Sequence, residues 1–143
     1  MIRAAILEDL NIIYAIETAC FDSDIISRRS LRYMILNPHS HLLVYTHYKV
    51  IVGYILTLCP KRSVLGRHYS LAVLPEYRGA GIARKLLKAA ESRCSGKLGF
   101  KLEIRKNNLI AEKLYESLGY VAHRLKEQYY EDGEDAIEMV KIA

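Results

Sequence analysis

The stretch SLAVLPEYRGAGIARKLL, from Ser70 to Leu87, constrains the fold more than any other part of the chain. An apolar, strand-like run meets Pro75, passes through two glycines, and continues at once as apolar residues at helical spacing. A strand that turns through glycine into a helix leaves the first backbone N–H groups of that helix unpaired, all pointing one way at the positive end of the helix dipole. Such a turn binds an anion, and phosphate suits it best.

The remaining elements follow in a readable order. IRAAIL is a strand, and EDLNIIYAIETACF then places Leu10, Ile13, Ile16 or Glu17, and Cys20 on one face of a helix. SRRSLRYMILNP is a second short helix, stopped at Pro38. HLLVYT and VIVGYILTLC form a hairpin across HYK, and RHYSLAV is a further strand. After the glycine turn, Ala83, Leu86 or Leu87, Ala90 and Cys94 line a helix that Gly96 closes. KLGFKLEI is a strand, and NLIAEKLYESLGY is a helix with Ile110, Leu114 and Leu118 in register and Gly119 at its end. YVAHRLKEQYY and DAIEMVKI are the last two strands, flanking an acidic turn. This order predicts an α/β (α+β) fold: a mixed, twisted sheet of about six to seven strands with helices on both faces. With 143 residues there is room for one domain with a real core, so residues 1–143 read as a single domain.

Composition removes several classes of function. Apolar residues at 51% and charged residues at 26% exclude a disordered chain, and the longest apolar runs are strand-length rather than bilayer-length. The first ten residues, MIRAAILEDL, contain no apolar signal segment, which points to the cytoplasm. Cys20, Cys59 and Cys94 are odd in number, far apart and without zinc-ligand spacing, so they read as reduced core thiols and no metal is expected. The net charge of +5 is unevenly spread: residues 61–106 carry twelve Lys or Arg against three glutamates, and residues 107–138 carry eight acids against three bases. The basic middle suits an anionic ligand; nucleic acid is the weaker partner, because no binding motif or aromatic-interleaved basic strip accompanies the charge.

Three kinds of glycine turn compete for the anion site. A Walker loop needs a lysine followed by Ser or Thr after its last glycine, and the residues after Gly81 do not supply them. A dinucleotide turn needs a third small residue for close helix packing, where this chain has Arg84, and it should open a βαβ unit rather than arrive after several strands. The sequence Arg78-Gly79-Ala80-Gly81-Ile82-Ala83, read as RxxGxA after a strand, resembles the acetyl-CoA pyrophosphate loop of the GNAT acyltransferases. The resemblance implies that backbone from Arg78 to Arg84 holds the pyrophosphate, with Arg78 and Arg84 available to the 3′-phosphate. It also implies that Leu71, Ala72 and Val73 lend backbone groups to the pantetheine arm and polarise the thioester carbonyl.

A second block, LEIRKNNLIAEKLYESLGY from Leu102 to Tyr120, resembles the ribosomal-protein-alanine acetyltransferases, the RimI group within GNAT, and QYYEDGEDAIEM is similar to that group's closing strands. By this resemblance Glu103 is the general base, acting through water; read alone, it is a strand glutamate facing solvent or paired with Arg105 or Lys101. Asn108 matches the asparagine that bonds the pantetheine arm, and read alone it is a helix N-cap. Tyr115 matches the acid that protonates the departing thiolate, and its plain alternative is a half-buried packing residue beside the Ile110/Leu114/Leu118 stripe. Tyr129 and Tyr130, with the nearby acids including Asp135, are candidate contacts for a peptide terminus, or else an aromatic edge and a solvated turn. After Phe21 the chain has DSDIISRR where relatives often carry a Pro-Trp pair.

The implied activity is direct acetyl transfer from acetyl-CoA to a protein or peptide N-terminus, a ribosomal protein being one candidate. An α-amine titrates near pH 8, about two units below a lysine, and so needs less help to lose its proton. Acetylation of a lysine or a small-molecule amine shares the whole cofactor half, and a silent CoA- or RNA-binding module would use the basic middle without Glu103 or Tyr115.

Overall fold

The computed structural model describes residues 1–142. Its elements are β1 (Ile2–Ala4), α1 (Leu10–Cys20), α2 (Arg28–Leu36), β2 (Ser40–His47), β3 (Val50–Leu58), β4 (Leu65–Val73), α3 (Ile82–Arg93), β5 (Gly99–Arg105), α4 (Leu109–Ser117), β6 (Val121–Lys126) and β7 (Ala136–Ile142). The strands make one seven-stranded sheet in the order β1-β2-β3-β4-β5-β7-β6. Every neighbouring pair is antiparallel except β4 and β5. The expected mixed sheet with helices on both faces is therefore what the chain forms.

Strand alternation sorts the core into two layers. On one face Ile13, Ile16 and Leu31 of α1 and α2 pack on Leu42, Val44, Tyr54 and Leu56. On the other, Leu86, Leu87 and Ala90 of α3 and Tyr115 of α4 pack on Leu43, Val52, Ile55, Leu102, Ile104 and Met139. Strand β3 is apolar on both sides because it lies under both layers. Beyond β4, the α1 face of the sheet carries charged rather than apolar side chains.

Two details differ from the sequence reading. Helix α4 turns its Ala111/Tyr115/Leu118 stripe inward, leaving Ile110 86% exposed. The spacing of Ile110, Leu114 and Leu118 is equally helical, but a bulky aromatic at 115 fills the space over β5 better than Ile110 does. The second difference is at Cys59 and Cys94, which are joined as a disulfide with Cα atoms 6.1 Å apart, within the usual range. Spacing along the chain gave no sign of it; the hairpin and α3 bring the end of β3 to the end of α3. Cys20 is the free thiol.

The pairing between β4 and β5 positions the site. They are bonded only from Leu65↔Gly99 to Arg67↔Lys101, yet β4 runs on to Val73 and β5 to Arg105. A bulge accompanies the split: on β3, Leu56 faces Ser70 and Thr57 faces His68, so Tyr69 is the extra residue. Bulges bend a strand and raise its twist, which carries the end of β4 away from β5 and opens a wedge between them.

Candidate active site

The glycine turn closes one end of this wedge. Gly81 caps α3 at φ +81° and Gly79 lies at φ +84°, backbone conformations that side chains disfavour. A Cβ added at either would meet no heavy atom within 4 Å, so the space in front of the turn is open. The first bond of the helix runs from Lys85 N–H to the Gly81 carbonyl, which leaves the preceding N–H groups without partners in the helix. Arg78 and Arg84, the two candidates for the 3′-phosphate, are both engaged with protein. Arg78 Nε donates to the Val73 carbonyl at 2.8 Å, bracing the end of β4, and Arg84 donates to Ser117 Oγ at 3.0 Å, joining α3 to α4.

Along β4, Leu74 N–H bonds to Val52 on β3. By antiparallel alternation Ala72 also faces β3, and Leu71 and Val73 direct their backbone groups into the wedge. Of the three residues expected to lend backbone, Leu71 and Val73 turn theirs away from β3, whereas Ala72 pairs with β3 and is 5% exposed.

Glu103 points away from Leu102 and Ile104, onto the charged face of the sheet. Arg67 Nε donates to its Oε1 at 3.0 Å, and Lys126 Nζ donates to Oε2 at 2.8 Å. The expected partners Arg105 and Lys101 are not the ones used: Arg67 and Lys126 come from β4 and β6, brought in by sheet order. Tyr115 lies on the opposite face, buried edge-on against Tyr120 with ring centroids 5.8 Å apart. Burial, then the neighbouring Tyr130, pushes its phenol above the usual tyrosine range. The phenol of Tyr130 is pushed up to about 12, mainly by burial and then by Tyr129, against the lowering effect of Arg105.

Asn108 is the N-cap of α4, its Oδ1 accepting from Ala111 N–H at 3.1 Å. Tyr129 accepts from Arg67 through its hydroxyl at 2.7 Å, and Arg105 stacks over Tyr130 at 4.2 Å. Asp135 accepts from Gln128 N–H at 2.9 Å and so holds the turn between β6 and β7.

Several contributors escaped the sequence reading. Glu17 is 2% exposed on the apolar face of α1; it accepts from Ile26 N–H at 3.0 Å and from the Tyr54 hydroxyl, pinning the α1–α2 loop to the sheet. An acid on an apolar stripe was the available signal. Arg105 donates to Ser23 Oγ at 2.8 Å and to Asp132 Oδ2 at 3.0 Å, tying that loop to the β6–β7 loop across the end of β5. Arg67, Lys126 and Glu138 had no signal, because their meeting depends on register between distant strands. Among the described residues no group of His, Cys, Asp or Glu is arranged to hold a metal ion.

The sheet is thus split between its parallel strands, with an open glycine turn at one end and a carboxylate and a phenol on its two faces. The chain belongs to the GNAT acetyltransferase family: the family model described as the acetyltransferase (GNAT) domain matches residues 7–143. An uncharacterized N-acetyltransferase of Methanocaldococcus jannaschii is 34% identical over 147 residues, covering 99% of this chain and 90% of that protein. The catalytic subunit of the N-terminal acetyltransferase A complex of Arabidopsis thaliana is 32% identical over 146 residues, covering 98% and 76%. Among solved structures, the ribosomal-protein-alanine N-acetyltransferase of Escherichia coli superposes with a TM-score of 0.88 at 26% identity, covering 99% of this chain and 92% of that one. The protein is an acetyltransferase, and the resemblance to the RimI group holds in both sequence and structure.

Proposed function

We propose that this enzyme transfers the acetyl group of acetyl-CoA directly to the α-amine of a protein N-terminus. The observation that carries the proposal is the placement of Glu103 and Tyr115 on either face of the wedge whose end is the open Gly79–Gly81 turn. The turn fits a pyrophosphate, since the first N–H groups of α3 lack intrahelical partners and a Cβ on either glycine would meet no heavy atom within 4 Å. Acetyl-CoA supplies the thioester when bound. The backbone of Leu71 holds the pantetheine arm together with the N–H of Val73, whose carbonyl is taken by Arg78, and a free N–H of this strand polarises the thioester carbonyl. Glu103 receives the proton of the amine through water, and Tyr115 donates a proton to the departing sulfur. The free Nδ2 of Asn108 is the group left for the pantetheine arm once Oδ1 caps α4. Among the described residues no helix is long and apolar enough to cross a membrane; the cytoplasm is our proposal for where the reaction runs.

An α-amine is favoured over a lysine because it is more often neutral at physiological pH. The Arabidopsis and Escherichia coli relatives are both named for N-terminal or protein-alanine acetylation, which supports the same acceptor here. The Glu103→Gln variant tests the assignment. Below the pKa of the amine it should lose on the order of 10²–10⁴-fold in turnover, and it should recover part of that loss at high pH where the amine is already neutral. A deficit equal at every pH would contradict proton removal by Glu103.

A further inference from the structure

We infer that the paired carboxylates of Glu103 and Glu138, with the ring of Tyr129, form the seat for the acceptor's ammonium group, and that Lys126 fills this seat in the free enzyme until the acceptor displaces it. The inference rests on the reading that Glu103 stands at the transfer site. Glu103 and Glu138 are direct partners across β5 and β7, so their side chains emerge side by side on the charged face of the sheet. Each side chain is only 5% exposed. Two adjacent carboxylates repel unless a cation joins them. That cation is Lys126: its Nζ is 2.8 Å from Glu103 Oε2, 3.2 Å from Glu138 Oε2 and 5.4 Å from the Tyr129 ring centre. Two carboxylate acceptors and an aromatic face are the groups that recognise a primary ammonium ion.

The seat is incompletely filled. Glu138 Oε2 is fully buried, and its one partner among the described residues is Lys126 Nζ at 3.2 Å, a longer and more poorly aligned contact than the 2.8 Å one Lys126 makes with Glu103. Its other oxygen is held from outside by His123 at 2.8 Å and Arg124 at 3.4 Å, which keeps Oε2 turned toward Glu103. A better aligned ammonium would therefore gain a hydrogen bond that Lys126 does not make. Lys126 can also leave easily. It is the last residue of β6, which lies at the edge of the sheet, and its flexible stem is already partly in solvent. Exchange of one ammonium for another leaves the buried charge unchanged, so displacement strands neither carboxylate. Arg67 is a poorer candidate to move, being held by both Glu103 and the Tyr129 hydroxyl. Burial pulls the pKa of Lys126 down, but Glu103 and Glu138 outweigh that and raise it above the ordinary lysine value, so the seat takes its occupant as an ammonium ion, the state from which the acceptor must lose a proton before transfer.

The test follows n-butylammonium chloride binding by NMR shift titration, with 1-butanol as the uncharged comparison, in the wild type and in Lys126→Met, Lys126→Arg and Glu138→Gln. The wild type should bind the ammonium and not the alcohol. Lys126→Met should bind it about threefold or more tightly, whereas Lys126→Arg, with a stronger resident cation, and Glu138→Gln, with a weaker seat, should each bind about threefold or more weakly. The KM for a peptide with a free alanine N-terminus should move in parallel, with the KM for acetyl-CoA unchanged. Equal binding of ammonium and alcohol, or an affinity that Lys126→Met leaves unchanged or lowers, overturns the inference. Because the titration needs no acetyl transfer, its failure in an enzyme that acetylates peptides removes the seat alone. Ammonium binding in a protein that acetylates no peptide would instead remove the N-terminal acceptor.

Discussion

At the scale of single residues, Tyr115 is where packing and chemistry compete most directly. Its ring is part of the α3/α4 core and touches Tyr120, which a packing role explains in full. Its hydroxyl is not among the sealed, unpartnered polar atoms of the described residues, so it stays open to a partner from outside the chain, which a purely packing role does not require. Tyr115→Phe keeps the ring and should fold with nearly wild-type stability. Turnover with acetyl-CoA should fall about tenfold or more, and a thioester with a more acidic thiol should restore part of it because that thiolate departs without a proton. Burial holds the phenol above its ordinary pKa, so wild-type activity should not decline as pH approaches 10, where an exposed tyrosine would deprotonate. Wild-type turnover in the phenylalanine variant, or no rescue by the acidic leaving group, would leave Tyr115 as packing only. The identities of Glu103, Asn108 and Tyr115 were legible in the sequence because they lie in one continuous stretch of the chain. Their partners were not: Glu103 meets Arg67 and Lys126 across strands 36 and 23 residues away.

At the scale of elements, the wedge and the turn act together. The turn was legible because glycine is a local requirement: both Gly79 and Gly81 adopt positive φ, and no neighbour crowds either one. Gly81→Val strains that backbone and fills the space in front of it. It should raise the KM for acetyl-CoA far more than the KM for the amine, and steady-state kinetics in both substrates read the difference. Equal effects on the two would take the turn out of the cofactor site. The wedge was legible only through family resemblance, because the bulge at Tyr69 depends on the register of β3 against β4 and leaves no mark in a strand's own sequence. Helix α4 shows the same limit in another form. Two apolar stripes share its helical period, and only the neighbouring β5 decides that Tyr115 rather than Ile110 turns inward.

At the scale of the whole molecule, the two halves of the sheet divide the work. The α3 face carries one of the two core layers, the glycine turn and Tyr115, and the far half of the α1 face carries Glu103. Arg105 joins the α1–α2 and β6–β7 loops by binding Ser23 and Asp132, and Glu17 ties the first of them to the sheet. Under the proposed function, the acceptor approaches from the side opposite Tyr115 and meets charge before it meets the wedge. Chain order gave the sheet and both helical layers, but not this division, because strands β5, β7 and β6 assemble out of sequence. The central claim is that this arrangement acetylates a protein N-terminus. The most direct measurement supplies acetyl-CoA and one peptide carrying both a free alanine α-amine and an internal lysine, and locates the added acetyl group by tandem mass spectrometry. The expected result is acetylation of the α-amine, lost when acetyl-CoA is omitted; acetylation of the lysine alone, or of neither amine while a small free amine is acetylated, would contradict it.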